Sequence, residues 1–323
     1  MHFHLGRNFM FSYKRVFALS MLFVLVCLFL LSACGGLATS SSASGGKTSG
    51  ISSKVLNVVA AENFYGNVVT QLGGSHVNVT SILSDPNVDP HEYTSNAQTA
   101  VKIANADLII ENGLGYDGWM DKLLSASSNT TRIVLTAGKL ANHPLPDNPH
   151  VWYGVDNMPA VAQGITDTLK KLDSANSSAF DSNLATFTQS LAPLQQKIDI
   201  INAKYKGTSI ALTETIYLYQ SQPEGLNVLT PFEFMKANAE GNDPPADTVT
   251  SINNSINKKQ AKILIYNLQT VTPITTNVEN EAKKLSIPVV PVTETMPPAK
   301  TYQTWMSDQL DALSTALRQG TGK

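Results

Sequence analysis

The chain has 323 residues with 23 basic and 25 acidic side chains, a net charge of −2, and 42% hydrophobic residues. No basic run offers a grip on nucleic acid, so a nucleic-acid partner is excluded as an expectation. Two cysteines, Cys27 and Cys34, both lie near the start, so no disulfide is expected after residue 53 and stability must come from a core.

The first 33 residues hold Arg7, Lys14 and Arg15, no acid, and then the apolar stretch Val16 to Leu31, interrupted by Ser20. This is the layout of a bacterial secretory signal. It stops at Leu31-Ser32-Ala33-Cys34-Gly35-Gly36, which looks like a lipobox, so 1–33 reads as a lipoprotein signal peptide and Cys34 as the lipidated residue. The competing reading is an uncleaved membrane span. Removal of the leader leaves 20 of the 23 basic residues against all 25 acidic ones, moving the net charge to −5. Residues 34–53 are almost all Gly, Ser, Ala and Thr, which reads as a flexible tether.

The remaining 270 residues suffice for two ordinary domains. Short Val- and Ile-rich runs alternate with helical-period segments, the pattern of parallel α/β units. In the first half, 54–176, the runs predict strands at Val55–Ala60, Val77–Leu83, Asp107–Ile110 and Arg132–Leu135, with helices near Phe64–Leu72, Asn96–Asn105 and Gly118–Ala126. The second half, 207–323, predicts strands at Ser209–Thr213, Leu226–Leu229, Lys262–Tyr266 and Pro288–Thr293. Its helices fall near Pro231–Glu240, Ala246–Lys258, Ile274–Leu285 and Tyr302–Leu317. Between them, Phe180, Leu184, Phe187, Leu191, Leu194, Ile198, Ile201 and Tyr205 recur at steps of four and three, one apolar stripe on a long helix. The expected fold is therefore α/β: two Rossmann-like lobes with parallel sheets, joined by one long backbone helix at 177–206. Pro193 predicts a kink near residues 189 to 193.

Open parallel sheets bind ligands beyond the carboxyl ends of their strands. Four metal-capable groups follow strands: His91 in Asp89-Pro90-His91-Glu92-Tyr93, His150 in Asn148-Pro149-His150-Val151-Trp152, Glu214 after the strand at 209–213, and Glu294 after the strand at 288–293. Each alone is a weak signal, since a His in a loop is usually solvated and a Glu at a helix start usually complements the dipole. Together, two imidazoles and two carboxylates form a near-neutral set around one dication in a cleft between the lobes. His76 and His143 read as surface residues, and His2 and His4 belong to the leader.

At these residues the sequence resembles a known family, the cluster A-I metal-binding receptors, which are solute-binding proteins of zinc and manganese ABC importers. The resemblance runs from about Val55 to Leu317 and includes Ala104 to Ile109, Asn112-Gly113-Leu114 before Trp119, Asp156, Tyr219 and Gly225-Leu226. It implies that His91, His150, Glu214 and Glu294 ligate the metal, with Glu214 matching manganese-type members and Glu294 standing where Asp is common. Runs such as Tyr266-Asn267-Leu268-Gln269-Thr270 and Thr293-Glu294-Thr295-Met296-Pro297 look like an actinobacterial-type subgroup. What the resemblance implies is a non-enzymatic lipoprotein on the extracytoplasmic face of the membrane. It would work as a monomer with an ABC permease and its ATPase, carrying one divalent transition-metal ion, manganese or zinc, with iron as a further candidate. Two carboxylates binding through one or both oxygens tilt the expectation slightly towards manganese. The rival readings are a metal-binding adhesin or structural lipoprotein and an extracellular metallohydrolase, although no His-Glu-x-x-His motif appears.

Overall fold

The computed structural model describes residues 54–86, 88, 93–94 and 96–323. The expected signal peptide, Cys34, the tether and His91 lie outside the described residues. Among the described residues no helix is long and apolar enough to cross a membrane.

The first sheet contains β1 (Leu56–Glu62), β2 (Val77–Leu83), β3 (Leu108–Glu111) and β4 (Ile133–Thr136), all parallel, in the order β2-β1-β3-β4. Its helices are α1 (Asn63–Gly73), α2 (Ala97–Ala104), α3 (Gly118–Ser125), the short α4 (Ala137–Leu140) and α5 (Met158–Leu172). β3 is buried along its whole length, as a strand covered on both faces must be. α5 has no counterpart among the helices expected from sequence. It opens with Pro159 in its first turn and buries Val161, Ala162, Ile165 and Leu169, a stripe weakened to the eye by small residues.

The second sheet repeats the plan with β5 (Ser209–Leu212), β6 (Asn227–Val228), β7 (Leu264–Asn267) and β8 (Val289–Val292), parallel and in the order β6-β5-β7-β8. Around it lie α8 (Leu218–Ser221), α9 (Phe232–Ala239), α10 (Ala246–Asn257), α11 (Pro273–Lys284) and α12 (Tyr302–Thr321). α11 and α12 each start with a capping box, Thr272 with Thr275 and Thr301 with Thr304.

Residues 177–205 form not one helix but two, α6 (Ser177–Ser190) and α7 (Ala192–Tyr205), separated at Leu191. Pro193 in the first turn of α7 cannot donate to the preceding turn, which is the reason for the break. The halves divide their packing, α6 lying on α1 and α5 and α7 lying on α12. Phe180, Phe187, Leu191, Leu194, Ile198, Ile201 and Tyr205 face inward and join one hydrophobic core that draws on both sheets. The lobes are also stitched by hydrogen bonds, including Asn63 to Met296 in both directions and the Tyr302 hydroxyl to the Trp152 carbonyl at 2.8 Å.

Candidate metal centre

In both lobes the order 2-1-3-4 leaves a crevice at the carboxyl ends of the two central strands, where connections depart in opposite directions. His150, Glu214 and Glu294 meet between these two edges, with one ligand-capable atom from each within 4.8 Å of the others. All three are buried, at 0%, 2% and 0% exposure. The Nε2 atom of His150 lies 3.7 Å from Glu214 Oε1 and 3.9 Å from Glu294 Oε2. Tetrahedral ligands about 2.1 Å from one ion stand about 3.4 Å apart, a few tenths of an ångström less than these two distances from His150.

Each group is held by neighbours. Asn148 Nδ2 donates to the Thr215 carbonyl at 2.9 Å, which turns its Oδ1 towards the His150 ring, 2.8 Å from Nδ1. That acceptor places the imidazole proton on Nδ1 and presents Nε2 as a lone pair to the carboxylates. Asn112 secures the same loop by donating to the Pro149 carbonyl at 2.9 Å while accepting from the Tyr65 hydroxyl. Trp152 stands edge-on to the His150 ring, with centroids 5.1 Å apart, and stacks on Phe64 at 4.4 Å.

Glu214 accepts from the Thr215 hydroxyl at Oε1 (2.7 Å) and, at Oε2, from the Ile216 N–H (2.9 Å) and Asn267 Nδ2 (3.3 Å). Glu294 accepts at Oε1 from Asn267 Nδ2 and the Thr270 hydroxyl, both at 2.8 Å, and at Oε2 from the Tyr116 hydroxyl of the first lobe at 2.9 Å. The backbone of Glu294 is fixed by Gln269, whose Oε1 accepts the N–H groups of Glu294 and Thr295 and whose Nε2 donates to the Val88 carbonyl across the cleft. Burial acts most strongly on His150 and lowers its pKa, but Glu214 and Glu294 together outweigh it and hold the imidazole above its ordinary value. Burial also keeps the Tyr116 phenol protonated as a donor, with Glu294 adding to the effect.

The first lobe carries a second buried acidic pair at its own crevice. The carboxyl of Glu62, the last residue of β1, is fully buried and faces that of Asp117, with its own backbone N–H as a donor. Two carboxylates cannot hydrogen-bond unless one bears a proton. Asp117 accepts the N–H groups of Asn112 (2.6 Å) and Gly113 (2.8 Å), so the proton belongs on Glu62. Burial first, then Asp117, raises Glu62 well above the usual glutamate range, and burial lifts Asp117 to about 6 against the pull of those two N–H groups.

His76 and His143 sit apart from this cluster: His76 stands edge-on to Phe180, and the His143 N–H binds Asn157. Sequence reasoning gave no role to Asn267, Gln269, Tyr116 or Asn148, although Asn267, Gln269 and Asn148 stand in runs that carry the family resemblance.

The family of periplasmic component A proteins of zinc-uptake complexes matches residues 58–316. The chain belongs to this family. Its members are substrate-binding components of transporters, not enzymes. The chain is similar to the manganese ABC transporter substrate-binding lipoprotein PsaA of Streptococcus pneumoniae, 27% identical over 230 residues, covering 66% of this chain and 70% of PsaA. It is also similar to the metal ABC transporter substrate-binding lipoprotein ScbA of Streptococcus cristatus, 29% identical over 183 residues, 52% of this chain and 57% of ScbA. The chain thus spans between half and three-quarters of the length of these two relatives. Among solved structures, the periplasmic zinc binding protein TroA from Treponema pallidum superposes with a TM-score of 0.67 at 18% identity, covering 81% of this chain and 99% of TroA. The Cd-bound periplasmic metal binding protein from Candidatus Liberibacter asiaticus does so at 0.67 and 20% identity, with the same coverage of each chain. These likenesses establish the two-lobed α/β fold.

Proposed function

We propose that this protein is the extracytoplasmic receptor of a metal ABC importer, which captures one divalent transition-metal ion, manganese or zinc, and hands it to the permease and its ATPase. The observation that carries this reading is the convergence of His150 Nε2 and the Glu214 and Glu294 carboxylates at one buried point between the lobes. A neutral imidazole and two carboxylates carry two negative charges, which a dication cancels, and burial strengthens that attraction. His91 is proposed as the fourth ligand, on the sequence alone. The residues divide the work: His150 and His91 come from the first lobe, Glu214 and Glu294 from the second, so capture joins the two. Lipidation of Cys34, a tether over 34–53 and a monomeric state complete the proposal. They accord with ScbA and PsaA, both lipoproteins.

Native mass spectrometry of the protein with manganese and zinc is expected to show one ion per chain, lost in His150→Ala and in Glu214→Ala. Retention of the ion by both variants would refute this site. Cys34→Ala is expected to leave the detergent phase, and equal partitioning with an intact leader would refute the lipid anchor.

A further inference from the structure

The amino edge of the second sheet, opposite the metal centre, gathers lysines. Lys206 stands just before β5, Lys262 just before β7, and Lys258 and Lys259 follow α10 at the same edge, all four exposed. The backbone beneath them is closely packed. The Lys262 N–H donates to the Ser209 carbonyl at 2.8 Å, and the Lys262 ammonium donates to the Lys259 carbonyl at 3.1 Å. The end of α12 presses on β7, where a Cβ at Gly320 would stand 2.1 Å from the Lys262 carbonyl oxygen. Lys206 and Lys262 border an open depression of about 390 Å³ whose lining includes Thr208, Ser209, Gln260 and Thr321 and no acidic side chain.

Among the described residues no ion pair joins any of these four lysines to an acid, whereas Lys283 and Lys284 on the neighbouring α11 are paired with Glu279 and Glu281. Glu224, in the turn ahead of β6, supplies no counter-charge: it is fully buried, and burial holds it well above the usual glutamate range. The matching edge of the first lobe differs, since Lys54 is paired there with Asp107. Resting on the lipid-anchor reading above, we propose that the basic edge of the second lobe is a docking surface for anionic phospholipid headgroups. The tether points to that occupant. It joins the fold at Lys54, at the amino edge of the first lobe. α6 begins beside that edge, where Phe180 meets His76, and α7 ends at Lys206 on the basic one. The two helices together reach up to about 42 Å, so a lipid at one end leaves the far lobe free to swing. Headgroup phosphates under the lysines would pin it, each lysine strengthening the attraction about fivefold.

The test reconstitutes the processed full chain in vesicles of phosphatidylcholine, alone or with about 30% phosphatidylglycerol. A donor dye on Gln260→Cys reports its distance from acceptor-labelled headgroups by energy transfer. Transfer is expected to rise at least about twofold with the anionic lipid and to fall back in about 0.5 M salt, which screens the attraction. Lys206→Gln with Lys262→Gln should weaken docking roughly twenty-fivefold, two lysines at about fivefold each. Lys258→Gln with Lys259→Gln, on another element, should do the same and decides the matter if the first pair does not fold. Zinc binding by each variant checks the fold. Transfer indifferent to phosphatidylglycerol, or a rise that both folded variants keep, overturns the proposal and leaves the edge to an acidic protein partner. Failure of the anchor reading is seen separately, as a wild type that does not float with pure phosphatidylcholine vesicles; a dependence on anionic lipid in that chain would still support the basic edge.

Discussion

In each lobe the first strand leads to a glutamate at the crevice, Glu62 at the end of β1 and Glu214 just past the end of β5, and in each an asparagine stands at the end of the neighbouring central strand, Asn112 or Asn267. The resemblance stops at the donors. Three reach Glu214 from neighbouring residues, while Glu62 meets another acid, Asp117. One position in a fold thus yields a carboxylate turned towards His150 in one copy and a buried acid set against a second acid in the other. Asn267 spans two acids, whereas Asn112 steadies the loop that carries His150. What separates the copies is which N–H and O–H groups the adjoining loops bring, not the strand or the residue type.

The sharpest test of this contrast is paired substitution. Glu214→Ala is expected to weaken metal binding at least about a hundredfold, while Glu62→Gln changes it less than about twofold, both read by calorimetric titration. Comparable losses would erase the distinction between the lobes.

Acid should attack the proposed metal site. Protons compete for His150, and since Glu214 and Glu294 hold its pKa up against burial, lowering the pH should begin to weaken affinity before pH reaches about 6.5, and then by up to about tenfold per pH unit. His76→Ala and His143→Ala should follow the wild-type curve. Affinity that stays flat into strong acid would argue against imidazole ligation.

For the other copy the readout is stability. Glu62→Ala leaves a buried gap and is expected to cost about 2 to 3 kcal/mol in denaturant unfolding, whereas Glu62→Gln keeps the shape, donates to Asp117, and should cost less than about 1 kcal/mol. Equal costs would mean that the carboxyl does not need its proton.

The smallest expected effect is a slope. Glu62 and Asp117 both have raised folded-state values, so their contribution is fully present below the unfolded range of about 4 and is lost as pH rises, for Asp117 through about 6. His150, also raised, acts in the same direction. The metal-free protein should therefore lose stability as pH rises from about 4 through about 6, the reverse of its metal affinity, and Glu62→Gln should flatten that decline.

Much of the scaffold was legible because its signals are local. The strands are short Val and Ile runs between turns, and β2 begins and ends where the pattern predicts. Pro193 announced a kink in one helix, where the structure has a break between α6 and α7. α5 was not legible: Ala160, Ala162, Gly164 and Thr166 dilute its stripe, and its burial depends on α1 and α6 arriving from elsewhere in the chain. Glu214, Glu294 and His150 could be singled out because they follow strands. Asn267 could not, because an amide between two acids becomes visible only when β5, β7 and β8 lie side by side. Glu62 was missed for a related reason: the apolar run suggests a strand ending at Ala60, two residues before the acid that β1 carries to its tip.

Asn148 has one hand on each lobe, its oxygen on the His150 ring and its amide on the Thr215 carbonyl. If the lobes part, the anchor that keeps the imidazole proton on Nδ1 goes with them, and the proton is then at liberty to move to Nε2, the very atom turned towards the carboxylates. Separation is thus a chemical event as well as a mechanical one, since it disarms a donor as it widens the gap.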